Sequence, residues 1–181
     1  MACDLTTGRS LACKSELGGL KRFYATTDAL GAITYSVTAG EEDSITTFAG
    51  APQFMSYELT GNTNTFVQTP TVSRDNGTLY FDQVLSVTLA KMTRTAHKEL
   101  VLLMQSYPTI VVEDYNGNLF TMGLANQCSA TGGSIVTGGA RADLSGYTLT
   151  FQAEEPKPAN FLDTSLLTAT TATIAAAIEA P

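Results

Sequence analysis

Helical periodicity occurs once in this chain, and a proline and a hairpin signal follow it at once. Over residues 95–107, Leu100, Leu103 and Met104 recur at i, i+3 and i+4, the spacing of one apolar helix face. Thr93 or Thr95 stands where an N-cap is needed, because a hydroxyl there accepts from an otherwise unpaired amide of the first turn. Pro108 disfavours helical angles at Tyr107 and ends the segment. Apolar runs at 109–112 and 119–124 then flank Asn116-Gly117, two residues that tolerate positive φ, so a type I′ hairpin turn is predicted. A single helix over about 95–106 leaves every other patterned stretch to be strand.

Those stretches alternate with period two. Ile33, Tyr35 and Val37 predict a half-buried strand over 32–38, and Met55, Tyr57 and Leu59 predict another ending at 59. Shorter strands are expected at 20–25 and 45–48. The segment 66–72 carries Pro70 and therefore suits an edge strand, since proline has no N–H to donate to a ladder. Arg74-Asp75-Asn76-Gly77 forms a second turn and opens the longest strand, 79–89. There Leu79, Phe81, Leu85, Val87 and Leu89 share a face, and Gln83 is the one polar residue among them. Residues 126–133 read as a loose loop, followed by a short strand at 134–137 between glycine pairs. Tyr147, Leu149 and Phe151 then alternate with Thr148, Thr150 and Gln152 in the clearest strand of all.

Helices do not alternate with strands, which excludes a doubly wound parallel sheet. The predicted fold is mainly β, an antiparallel β-sandwich or barrel with one flanking α-helix. Residues 1–156 form one domain with an N-terminal arm at 1–17, and 157–181 form a linker and an Ala/Thr-rich tail. The Ala-rich end of that tail is too short for a stable helix without a partner.

The surface is short of charge. Asp, Glu, Lys and Arg make up 15% of the chain against a usual quarter, so Thr, Ser, Asn, Gln and Gly must cover it, as in surfaces that other subunits bury. A net charge of −7 excludes a sequence-reading nucleic-acid binder, which needs a basic footprint; Lys21-Arg22 is the sole adjacent cationic pair. Three cysteines (Cys3, Cys13, Cys128) without a CxxC spacing, and a single histidine, argue against zinc. Reduced thiols are favoured over a Cys3–Cys13 pair. The opening Met-Ala-Cys-Asp has no apolar run of a secretory leader, and no stretch reaches the ~18 apolar residues that span a bilayer.

Catalytic and cofactor chemistry is not legible, and neither an enzyme nor a cofactor is expected. His97 has no nucleophile and orienting acid in a short signature around it. The acid pairs Glu113-Asp114 and Glu154-Glu155 belong to strands, where neighbours point to opposite faces and cannot share one ion. Residues 114–118 hint at a calcium loop but lack its closing bidentate acid, so a plain hairpin is preferred. The glycine pairs at 132–133 and 138–139 lack the Lys-Ser/Thr of a phosphate-binding loop.

The order of these pieces resembles the tail tube proteins of tailed bacteriophages. The resemblance rests on Arg74-Asp75-Asn76-Gly77-Thr78 with its long strand, the helix around 98–105, the run 108–118, and the closing Asp143-Leu144-Ser145-Gly146 with the strand after it; it covers most of residues 1–156. It implies a self-assembling virion subunit, assembled in the host cytoplasm, that forms stacked rings, hexameric in that family. The resulting channel meets other tail proteins and passes DNA without reading it. A lumen that DNA must slide through suits net acidity, and clustering makes Glu41, Glu42 and Asp43 the lumen-facing candidates. The rival readings are a neck, tail-terminator or head-decoration protein, and a β-sandwich binding module.

Overall fold

The computed structural model describes Lys14 and residues 16–163; the tail at 168–180 and most of the predicted arm lie outside the described residues. The described chain is mainly β, with two sheets and one helix. The first sheet, sheet A, has seven strands. They are β1 (Leu20–Thr26), β2 (Ile33–Tyr35), β3 (Ile45–Phe48), β4 (Met55–Glu58), β7 (Thr109–Asp114), β8 (Leu119–Met122) and β11 (Asn160–Leu162), in the order β2-β3-β11-β8-β7-β1-β4. Sheet B has four: β5 (Thr65–Ser73), β6 (Thr78–Ala90), β9 (Ser129–Val136) and β10 (Gly146–Glu155), in the order β5-β6-β10-β9.

The main core lies between the sheets. Phe23, Ile110, Val112 and Met122 from sheet A meet Leu85, Val87, Tyr147, Leu149 and Phe151 from sheet B. Helix α1 (Arg94–Gln105) closes this layer with Leu100 and Leu103, so the predicted apolar face is the buried one. Of the two candidate caps it is Thr93 that accepts from Ala96 N, at 3.1 Å. A second core covers the reverse face of sheet A, where Tyr24, Val111 and Leu119 pack with Ile45, Phe54 and Leu162. Sheet A curls to make it. In a flat sheet β3 and β4 would stand five strand spacings apart, about 24 Å, yet the rings of Phe48 and Phe54, which border them, are 6.1 Å apart.

Burial on two sides explains how Glu113 is held. Its carboxylate, 3% exposed, sits 2.9 Å from Lys21 Nζ and 3.2 Å from Arg22 Nε, and accepts from the Tyr24 hydroxyl at 2.9 Å. Burial, and then the hydrogen bond to Glu113, push the Tyr24 phenol up to about 12. Gln83, the polar residue on the apolar face of β6, is equally enclosed. It donates to Lys157 O and accepts from Gly123 N, both at 3.3 Å, and so ties both sheets to the chain after β10.

Several expectations are corrected. The Asn116-Gly117 turn is not type I′, because Gly117 alone in that loop has positive φ (84°). Gly117 N donates to Asp114 O at 3.3 Å and Asp114 N to Asn118 O at 3.1 Å, which makes a three-residue loop ending in a left-handed glycine. Asp114 Oδ1 selects it by accepting from the amides of Asn116 and Asn118, each at 2.8 Å. The strand predicted over 32–38 shortens to Ile33–Tyr35 at an irregular sheet edge, and Val37 is 98% exposed. Of the face shared by Met55, Tyr57 and Leu59, Tyr57 and Leu59 pack on the main core while Met55 is half exposed on the outermost strand of sheet A, and Phe54 on the other face is buried in the second core. Residues 129–133, read as loop, are paired in β9. Gly133 permits this, since a Cβ there would lie 2.6 Å from Thr148 O. Finally, the stretch read as linker supplies β11, which pairs with β8 and, in the one parallel contact among the described residues, with β3. The globular unit therefore runs past residue 156.

Candidate functional site

Among the described residues sheet B is covered on one side only, and its strands carry no lysine or arginine. The inward side chains Gln83, Leu85 and Val87 of β6 and those of β10 are buried, whereas their neighbours Ser86, Thr88, Thr148 and Thr150 face away from the core. The register aligns those hydroxyls across strands: Thr148 opposite Thr88 and Ser134, Thr150 opposite Ser86 and Gly132, and Thr65 opposite Ser86. The outward face is thus largely small and polar, interrupted by the Val67–Val84 pair and Tyr80, with two charged members, Asp82 and Glu154. These are direct cross-strand partners. Like charges opposite one another are unfavourable, and among the described residues no ion pair offsets them; Asp82 instead accepts from Gln152 Nε2 at 2.8 Å. Such a local conflict in an otherwise consistent sheet is what a functional surface leaves behind.

The two borders of sheet B are equally distinctive. β5 and β9 are its opposite edges, nine and eight residues long, and neither contains a charged residue. Natural edge strands are normally blunted by charge, shortness or cover. Among the described residues, Pro70 in β5 and, at β9, its irregularity opposite Thr150 and Phe151 and the nearby helix α1 are such devices. At the far end of the β5–β6 hairpin, Val72 and Leu79 are paired and point toward the core side, yet are 69% and 53% exposed. The hairpin runs beyond the layer that would cover them.

The predicted lumen acids lie elsewhere. Glu41, Glu42 and Asp43 form the turn between β2 and β3 of sheet A, where Glu42 Oε2 accepts from Gly40 N at 2.9 Å and Asp43 O from Asn160 Nδ2 at 2.8 Å. No part of sheet B joins them there. Glu154 and Glu155 do point to opposite faces, as expected for neighbours in a strand. Glu155 is buried and accepts from Ala125 N and Asn126 N, at 3.1 and 2.8 Å, which organises the loop after β8. His97 meets the Tyr147 hydroxyl through Nδ1 at 3.4 Å, a contact between helix and sheet with no nucleophile in it. Cys128 is buried, and desolvation raises its thiol to about 12, which keeps it protonated and a poor nucleophile. No group of three His, Cys, Asp or Glu side chains among the described residues could hold a metal ion.

Sequence reasoning missed Asp82 and Glu154 as a pair because they are 72 positions apart and only the β6–β10 register joins them. Alternation alone does place each on the outward face. No family model, curated protein or solved structure matches this chain. No helix among the described residues is long and apolar enough to cross a membrane.

Proposed function

We propose that this protein is a structural subunit that assembles with copies of itself by joining β5 of one molecule to β9 of the next. The observation that carries the reading is the pair of long, uncharged edges on opposite sides of one sheet, without a strand partner among the described residues. Joining unlike edges is a head-to-tail contact, and head-to-tail contacts close into rings or run on as filaments. In a ring the bulky side, with sheet A and α1, must take the wider outer circumference. The thin side, the hydroxyl lattice of sheet B, then lines the passage.

That lining suits a channel for a polyanion. Hydroxyls and the Asp82–Glu154 pair would face the bore, with no lysine or arginine from these strands to bind phosphate. In this reading those two acids, and not Glu41, Glu42 and Asp43, are the lumen charges. The resemblance to phage tail tube proteins supports the same conclusion and adds its content: rings, six-membered in that family, stacked into the virion tube through which DNA leaves.

Electron microscopy of the purified protein tests this directly. Rings or tubes are expected, and Ser134→Lys, which sets a charge on the β9 edge, should abolish them while leaving the monomer folded. A monodisperse monomer at high concentration, at every salt level, would overturn the proposal. Single rings that never stack would point to a terminator.

A further inference from the structure

The chain contains two Asn-Gly pairs, and the fold treats them differently. Asn116 is held. Its Oδ1 accepts from Leu17 N at 2.8 Å, and its Nδ2 donates to Leu17 O at 2.9 Å and to Asp114 Oδ2 at 3.4 Å. The amide that follows it, Gly117 N, is engaged with Asp114 O at 3.3 Å. Asn76 lies at the exposed tip of the β5–β6 hairpin. Its one hydrogen bond among the described residues is from its backbone N to Ser73 Oγ, at 3.3 Å, so its carboxamide is free. Neither following glycine is crowded: a Cβ on Gly77 or on Gly117 would meet nothing within 4 Å. The two sites therefore share sequence and steric openness, and differ in whether the reacting groups are tied.

We infer that Asn76 is a site of spontaneous covalent modification, deamidation through a succinimide, from which the Leu17 clamp protects Asn116. The nitrogen of Gly77 loses its proton and attacks Asn76 Cγ. The Cγ–Nδ2 bond breaks, ammonia leaves with that proton, and a five-membered imide closes. Water then opens either imide carbonyl, giving aspartate or isoaspartate, with no oxidant or reductant required. Closure needs the carboxamide to rotate onto the next amide, and glycine is the residue that obstructs this least. At Asn116 the same rotation must first break the bonds to Leu17, and the attacking amide must leave Asp114.

The product adds a negative charge beside Asp75 and, as isoaspartate, an extra backbone methylene in the turn that sets the β5–β6 register. It lies next to the exposed Val72–Leu79 pair.

The test is peptide mass spectrometry on the intact protein aged in mildly alkaline buffer. Trypsin places Asn76 in the peptide 75–91 and Asn116 in 99–141, so the two are read separately. A gain of about 1 Da with isoaspartate at Asn76 should outpace that at Asn116 on the order of tenfold. In denaturant the two rates should converge, and Leu17→Pro, which removes the clamping amide, should speed Asn116 alone. Equal rates in the folded protein would overturn the inference. So would a difference that survives denaturation.

Discussion

β7 and β10 are both central strands, and they are buried in different ways. In β7, Thr109, Ile110, Val111, Val112 and Glu113 are all buried, because Ile110 and Val112 face the core between the sheets while Val111 faces the second core. In β10, Tyr147, Leu149, Phe151 and Ala153 are buried and their neighbours Thr148, Thr150 and Gln152 are not. A strand covered on both faces reads as a continuous apolar run, and a strand covered on one face alternates. The difference identifies sheet A as the interior of the molecule and sheet B as the layer it presents.

Substitutions can break or sharpen that contrast. The largest effect is expected from Leu103→Asp, which places an unpaired charge where the helix seals the main core; it should leave the chain unfolded by circular dichroism. Normal melting of that variant would show that α1 is not part of the core. In β10, Phe151→Ala should cost about 3–5 kcal/mol in urea denaturation, whereas the adjacent Thr150→Ala should stay within about 0.5 kcal/mol. In β7 the matching neighbours, Val111→Ala and Val112→Ala, should cost alike, at about 2 kcal/mol each. If Val111→Ala were silent, the second core would not be a core.

Alkali provides a further test of the interior. The pKa of the Tyr24 phenol rises from 10.0 to about 12 and that of the Cys128 thiol from 9.0 to about 12 on folding. Both are acids kept neutral in the native state. The unfolded chain therefore releases these protons first, and stability should fall as pH climbs from about 9 toward 12. Each group accounts for roughly 2–4 kcal/mol at the top of that window. Tyr24→Phe with Cys128→Ala should flatten the decline, measured as the urea midpoint against pH. A smaller loss is expected at the cap: Thr93→Ala should lower stability by about 1 kcal/mol, since one amide, Ala96 N, loses its side-chain acceptor.

Alternation and punctuation determined the class of fold, the single helix with its stop before Pro108 and its start near Thr93 or Thr95, and the two hairpins. These are local preferences, and each depends on a few residues near in sequence. The inward faces of β6 and β10 were legible for the same reason, Gln83 included. Tertiary structure alone decided the rest. That β9 pairs through Gly132-Gly133 depends on the close approach of β10 at Gly133, which glycine allows but does not announce. That β11 inserts between β3 and β8 depends on the curl of sheet A. Asp114 set the turn geometry at Asn116 through two backbone amides, and Leu17 came to it from 99 positions away. The acids followed the same division. Clustering along the chain singled out Glu41, Glu42 and Asp43, which lie together in the β2–β3 turn, whereas only the pairing of two distant strands set Asp82 against Glu154.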